Sequence, residues 1–143
     1  MLFVPAQWKF GDKIGSGAFG TVWSAVFRGN DKTYAVKKIR RRDDADMEDT
    51  QREVALMAQM EHRNIVRYYG GQAVPPGTFF WIVMEYMECG TVADVMRIRG
   101  GPLTEVQASI VARDMCRGLA YLHQMGVLHK DMYALAFVFV NHV

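Results

Sequence analysis

The stretch IGSGAFGTV, residues 14–22, places three glycines between segments rich in apolar and β-branched residues. Gly15, Gly17 and Gly20 follow a GxGxxG spacing, which lets a backbone approach a phosphate chain closely because glycine has no Cβ. The flanking residues predict a strand before these glycines and another after them. A dinucleotide-binding fold would lead from the glycines directly into a helix. The stretch therefore predicts either a phosphate-binding hairpin or a glycine-rich hairpin turn without a ligand.

The pattern around this hairpin predicts strands first and helices afterwards, which is an α+β fold. Gly29, Asn30 and Asp31 supply turn chemistry between the second and third strands. The predicted strands are 10–14, 21–27, 33–39, 66–70 and 79–84.

Three helices are predicted from acidic first turns and capping boxes. The first covers residues 43–60, and Thr91 and Thr104 begin the second and third. The third helix is expected to end at Gly126. Its predicted packing stripe consists of Val111, Met115, Leu119 and Leu122.

Composition limits the possible function classes. The chain has 143 residues, 50% of them hydrophobic, which is enough for one globular domain. A formal net charge of +2 gives no reason to expect nucleic acid or an anionic membrane as a partner. Cys89 and Cys116 form no CxxC pair, so we expect a reducing, cytoplasmic or nuclear setting and no zinc site. No stretch approaches the roughly 18 apolar residues of a spanning helix, so no membrane segment is expected.

Two neighbouring lysines follow on the third predicted strand. The ammonium of Lys37 could bind phosphates if a carboxylate partnered it. Glu53 is the candidate partner, because helical spacing places it on the face of Met57 and Met60 and points it inward. An ordinary surface glutamate is the alternative. Lys38 is expected to point to the opposite face of the strand and to be solvated.

Several strings resemble the motifs of a protein kinase domain. YAVK at 34–37 resembles the strand that carries the phosphate-binding lysine. HRNIVRYYG at 62–70 and WIVMEYM at 81–87 resemble the fourth strand and the fifth strand with its hinge. HKD at 129–131 resembles the start of the catalytic loop. The order of these strings along the chain is that of the family.

Longer strings resemble particular kinase groups. Residues 81–105, together with GLAYLH at 118–123, are similar to the germinal-centre-kinase group of sterile-type serine/threonine kinases. The string WKFGDKIGSGAFG at 8–20 is similar to MAP kinase kinase kinases. The resemblance covers roughly residues 8–131 and implies a eukaryotic serine/threonine kinase domain.

The resemblance also implies a domain organisation. A small lobe with a five-stranded antiparallel sheet and one helix, plus the start of the hinge, is expected over 8–87. The first helices of an incomplete large lobe are expected over 88–131, and residues 132–143 do not resemble the family. These expectations describe a chain truncated just after the catalytic-loop aspartate.

The implied ligand is ATP. Adenine would hydrogen-bond the carbonyl of Glu85 and the amide of Met87. Val22 and Ala35 would sandwich the base, and Met84 would gate the pocket behind it. The implied ATP-binding residues are Ile14, Gly15, Ser16, Gly17, Ala18, Phe19, Gly20, Val22, Ala35, Lys37, Met84, Glu85 and Met87.

The implied catalytic residues are Lys37, Glu53 and Asp131. Asp131 would be the base that takes the proton from the substrate hydroxyl. Lys130 stands where the family has arginine, Tyr133 where it has a phosphate-contacting lysine, and Ala136 where it has a magnesium-binding asparagine. Mg²⁺ is expected for the family, but with its protein ligands substituted or missing no metal site is predicted here. Little phosphoryl transfer is therefore expected from this chain.

Two functions follow from these expectations. One is a kinase that transfers the γ-phosphate of ATP to Ser or Thr of protein substrates, in a MAP-kinase-type cascade in the cytoplasm. The other is a non-catalytic short isoform or pseudokinase that acts as a binding module for the partners of a full-length relative. The sequence alone does not separate them.

Overall fold

A computed structural model describes residues 5–17, 20–40, 44–74 and 79–127. Between residues 44 and 49 the backbone is described, but the only side chain described is that of Glu48. These residues form a five-stranded antiparallel sheet and three α-helices. The strands are β1 (Trp8–Gly17), β2 (Gly20–Phe27), β3 (Lys32–Arg40), β4 (Tyr68–Val74) and β5 (Phe79–Glu85). The helices are α1 (Asp44–Met57), α2 (Val92–Arg99) and α3 (Glu105–Gln124).

The described chain divides into two compact units. The first unit contains the residues up to Glu61 together with Arg67–Tyr86, and therefore the whole sheet and α1. The second unit contains His62–Val66 and the residues from Met87 onward, and therefore α2 and α3. None of the helices in the described ranges is long and apolar enough to cross a membrane.

The sheet has the strand order β1-β2-β3-β5-β4, and every neighbouring pair is antiparallel. The predicted five-stranded antiparallel sheet with a helix beside it is confirmed. The fourth strand differs from its predicted range of 66–70, because it begins at Tyr68 and continues to Val74 in register with β5. Gly71 permits this continuation, since a Cβ there would lie 2.5 Å from the ring of Phe80.

Each face of the sheet has its own apolar cluster. On one face Val54 of α1, which is 2% exposed, packs with the buried residues Ile39, Phe80 and Ile82. Burying one such side chain stabilises a fold by about 1.5–3 kcal/mol. The opposite face is built from Trp8, Ala25, Tyr34, Val36, Val74, Trp81 and Val83. The sheet therefore has a face packed against α1 and an aromatic outer face.

The second unit begins its helices at the two predicted capping boxes. The hydroxyl oxygen of Thr91 accepts the backbone N–H of Asp94 at 3.0 Å, and that of Thr104 accepts the N–H of Gln107 at 3.3 Å. Gly100 ends α2 in the left-handed conformation that favours glycine. Both boxes satisfy backbone donors that the first helical turn leaves without a partner.

The buried line of α3 differs from the predicted stripe. Val111 and Leu122 are buried as expected, but Asp114 and Gly118 complete the line, while Met115 and Leu119 are half-buried. Gly118 lets the backbone at Asn64 approach, since a Cβ would lie 2.7 Å from that carbonyl oxygen. A pattern based on hydrophobicity alone omits both residues.

Asp114 is buried within α3 and paired with two arginines. Its Oδ1 accepts from Nε of Arg113 at 2.8 Å and from an NH group of Arg117 at 3.3 Å. The Arg113 hydrogen bond holds the pKa of the Asp114 carboxyl below its usual range, against the opposing effect of burial. The carboxylate is therefore charged and compensated at neutral pH.

Candidate active site

The three glycines of the opening motif join two strands, as predicted, and do not lead into a helix. Across the hairpin Gly17 pairs with Gly20, Ser16 with Thr21 and Gly15 with Val22. The other two residues of the motif, Ala18 and Phe19, lie outside the described residues. The hairpin context separates this motif from the dinucleotide-binding fold.

The three glycines are required to different degrees by the chain itself. Gly20 has φ of +130°, and a Cβ there would collide with the carbonyl oxygen of Lys38. At Gly17 a Cβ would meet nothing within 4 Å, and at Gly15 it would make an ordinary contact of 3.5 Å with Val22. Of the three glycines, only Gly20 is therefore required by contacts among the described residues.

The sheet register brings four of the predicted site residues, Val22, Ala35, Lys37 and Met84, onto one face. Val22 lies opposite Lys37, and Ala35 lies opposite Met84. Residues directly opposite each other in antiparallel strands share a face, and so do residues two apart along a strand. The shared face is the one packed against α1, because Ile39 continues the alternation of Ala35 and Lys37 and packs with α1.

The residues on this face are buried to different degrees. Ala35 is 5% exposed, and Val22, Lys37 and Met84 are half-buried. Ile14, at the start of the glycine motif, is 42% exposed. The face thus carries small and apolar side chains together with one half-buried lysine.

Glu53 is exposed, so the prediction that it points inward is wrong. The inward side of α1 is centred on Thr50 and Val54, which are 4% and 2% exposed, and Glu53 lies at its border. The negative charge of Glu53 still acts on a partly buried residue of the first unit, Tyr68. Burial raises the pKa of the Tyr68 phenol, and the negative charge of Glu53 adds to that rise.

Lys38 occupies the opposite face of the strand, as predicted, but the prediction that it is solvated is wrong. Its Nζ lies 3.5 Å from the ring centroid of Phe10, 5.2 Å from that of Trp23 and 5.1 Å from that of Trp81. These are cation–π distances. Burial lowers the pKa of Lys38. Alternation along β3 predicts correctly on which face Lys38 lies. It cannot predict the three aromatic rings, because they belong to three other strands.

The predicted hinge residues fall on both sides of the division between units. The backbone N–H of Glu85, in the first unit, donates to the carbonyl of Arg67 at 2.8 Å. The Arg67 N–H in turn donates to a Glu85 carboxylate oxygen at 3.4 Å. Met87 belongs to the second unit, where its carbonyl accepts the N–H of Gly90 at 3.1 Å.

The predicted catalytic base Asp131, with Lys130, Tyr133 and Ala136, lies outside the described residues. Within the described ranges, no three His, Cys, Asp or Glu side chains come together as a metal site would need. The described part of the site is thus the glycine hairpin and the face around Lys37.

Comparison with known proteins shows the family to which the chain belongs. Residues 8–137 match the family described as "Protein kinase domain". Serine/threonine-protein kinase cst-1 from Caenorhabditis elegans is 37% identical over 122 residues, covering 85% of this chain and 24% of that protein. The Caenorhabditis briggsae protein of the same name is 36% identical over 122 residues, with the same coverage.

The chain therefore spans about a quarter of the length of these relatives. The resemblance to a serine/threonine protein kinase domain that the motifs carry is confirmed, because the family match covers nearly the whole chain and both relatives bear that name. This chain belongs to the protein kinase domain family.

Proposed function

We propose that this chain is the ATP-binding part of a serine/threonine protein kinase. The full protein would transfer the γ-phosphate of ATP to Ser or Thr of protein substrates. The observation that carries the proposal is the single face on which the register places Val22, Ala35, Lys37 and Met84 beside the glycine hairpin.

The glycines favour a phosphate ligand over a bare turn. A turn without a ligand needs glycine at Gly20, where the backbone requires it. Contacts within the described chain do not require glycine at Gly15 or Gly17. Glycine at both positions keeps side chains away from a phosphate chain that lies against the hairpin amides. The residues present therefore fit ATP.

Lys37 is the residue that we propose holds the α- and β-phosphates. A lysine ammonium supplies three hydrogen-bond donors and a full positive charge. Its half-buried position strengthens the attraction to phosphate oxygens relative to a fully solvated lysine. The family resemblance assigns Glu53 as the carboxylate that orients Lys37. Glu53 is exposed, and the support for this assignment is that its charge raises the pKa of the partly buried Tyr68 phenol.

Glu85 and Met87 remain the proposed adenine contacts, through the Glu85 carbonyl and the Met87 amide. Asp131 remains the proposed base that accepts the proton of the substrate hydroxyl. These assignments rest on the family motifs at 81–87 and 129–131.

The residues of this chain fit ATP, but they do not fit a magnesium ion. When bound, Mg²⁺ neutralises charge on the β- and γ-phosphates. The position at which the family supplies an asparagine ligand is Ala136, and its methyl side chain offers no donor atom. We therefore propose weak ATP affinity and little phosphoryl transfer for this chain.

The substitutions at Tyr133 and Ala136 also favour a second candidate function, a non-catalytic binding module. Such a module does not need the phosphate-contacting lysine and the magnesium-binding asparagine that these two residues replace. A role in a MAP-kinase-type cascade belongs to the kinase proposal and rests on the motif resemblance. The proposed cytoplasmic location rests on Cys89 and Cys116, which form no CxxC pair.

The proposal is tested by comparing ATP with adenosine. Calorimetric titration of the Lys37→Ala variant should show ATP affinity reduced about tenfold or more, since a hydrogen bond to a charged group contributes about 1.5–3 kcal/mol. Adenosine affinity should not change, because adenosine has no phosphates. Lys32→Ala, at the far end of the same strand, is the matched control. Unchanged ATP affinity in Lys37→Ala would overturn the assignment of the lysine.

A further inference from the structure

Lys38 is the centre of a cluster that joins four of the five strands on the outer face. The lysine belongs to β3, and the rings around its ammonium belong to Phe10 of β1, Trp23 of β2 and Trp81 of β5. Phe10 and Trp81 also contact each other edge to face, with ring centroids 5.0 Å apart. We define Lys38, Phe10, Trp23 and Trp81 as the Lys38 cluster.

The cluster lies directly behind the second arm of the glycine hairpin. Thr21, the residue after Gly20, pairs with Lys38 across β2 and β3. The indole Nε1 of Trp23 donates to the hydroxyl oxygen of Thr21 at 3.0 Å. Gly20 itself lies against the Lys38 backbone, where a Cβ would collide with the carbonyl oxygen. The path of this arm is therefore set by contacts with Lys38 and Trp23.

The cluster also holds the first arm of the hairpin. β1 pairs regularly with β2 from Trp8 to Phe10, and its register then shifts between Phe10 and Lys13 and again between Lys13 and Gly15. Phe10 is thus the last regularly paired residue before the irregular stretch that leads into the glycines. Its ring is the nearest of the three to the Lys38 ammonium.

We propose that Lys38 is a positioning residue that holds both arms of the glycine hairpin in the geometry that receives the nucleotide phosphates. It acts through the rings of Phe10 and Trp23 and never touches the nucleotide, because its side chain lies on the face opposite Lys37. This inference rests on the proposed function, and it assigns a role to a side chain outside the nucleotide face.

The positive charge is the decisive property of Lys38. An ammonium over aromatic faces is attracted by the ring quadrupoles, and partial desolvation strengthens that attraction. Methionine is unbranched, uncharged and one atom shorter than lysine, so it fills most of the same space without this attraction, whereas arginine keeps the charge and stacks well on rings. Lys38→Met and Lys38→Arg therefore separate the charge from the packing.

Lys32 provides a matched control. It lies on the same strand and, at an even spacing, on the same face as Lys38. Its Nζ is 5.9 Å from the ring centroids of both Tyr34 and Tyr69, which is also a cation–π arrangement. Lys32 pairs with Phe27, at the end of the sheet away from the glycines. Lys32→Met thus removes a similar interaction without touching the hairpin.

The test uses the full chain and two measurements. Hydrogen exchange of the Ser16, Thr21 and Val22 amides reports on the hairpin without any ligand. ATP and adenosine titrations report on the site. Lys38→Met should speed hairpin exchange and weaken ATP binding by about threefold to tenfold each, with adenosine affinity unchanged. Lys38→Arg and Lys32→Met should match the parent in all three measurements.

Two results would overturn the inference. The first is a hydrogen-exchange rate of the hairpin amides in Lys38→Met that equals the rate in Lys32→Met. The second is exchange in Lys38→Met that accelerates equally across the whole sheet. If the parent chain binds no ATP, the proposed function fails, and hydrogen exchange alone still decides the role of Lys38. If Lys38→Met does not fold, Phe10→Leu removes the nearest ring and must loosen the hairpin in the same way.

Discussion

Replacing Gly20 by alanine should destabilise the first unit by about 2–6 kcal/mol. A non-glycine residue forced into a sparsely populated backbone region costs about 1–3 kcal/mol. Gly20 has φ of +130°, and the added Cβ would also collide with the backbone oxygen of Lys38, which cannot rotate away. Relieving such overpacking costs about 1–3 kcal/mol more. The total is a large part of the 5–15 kcal/mol that stabilises a typical domain.

Urea unfolding followed by tryptophan fluorescence measures this change selectively. Trp8, Trp23 and Trp81 all belong to the first unit, so their emission reports its unfolding. Gly17→Ala is the matched control, because a Cβ at Gly17 meets nothing within 4 Å. The unfolding midpoint of Gly20→Ala should fall well below that of Gly17→Ala. Equal midpoints for the two variants would refute the steric reasoning.

Further predictions concern the second unit and the catalytic loop. Gly118→Ala should destabilise α3 despite the better helix propensity of alanine, because its Cβ would lie 2.7 Å from the Asn64 carbonyl oxygen, and helix-region hydrogen exchange should accelerate. Hydrogen bonds from the Thr91 backbone and hydroxyl lower the pKa of Asp94 to about 2. That depressed value contributes stability above about pH 4 that is lost toward pH 2, and an NMR titration should show a higher pKa in Thr91→Ala. Radiolabelled phosphate transfer by the purified chain should not exceed that of Asp131→Asn, and transfer lost in that variant would contradict the proposed inactivity.

Local patterns predicted the elements whose causes lie in neighbouring residues. The glycine hairpin follows from GxGxxG between apolar segments, and the starts of α2 and α3 follow from Thr91 and Thr104 with their partners three residues later. Each of these signals depends on backbone groups that are close in sequence. The structure reproduces both helix starts residue for residue, whereas β1 spans Trp8–Gly17 and is longer than the predicted strand at 10–14.

Features that depend on distant partners could not be derived in the same way. The environment of Lys38 is set by three rings from three other strands, and alternation along β3 carries no information about them. The buried position of Gly118 depends on the backbone at Asn64. Spacing assigns Glu53 to the inward face of α1, but the residues buried there are Thr50 and Val54, and Glu53 is exposed.

An NMR titration of the full chain with ATP tests the central claim most directly. The account predicts that amide shifts concentrate in the glycine hairpin from Gly15 to Val22, in β3 at Ala35 and Lys37, and at Met84. Adenosine should reproduce the shift at Met84 and lose most of those in the hairpin, because it lacks the phosphates. Shifts confined to α2 and α3, or identical shifts with ATP and adenosine, would contradict the assignment of this face as the nucleotide site.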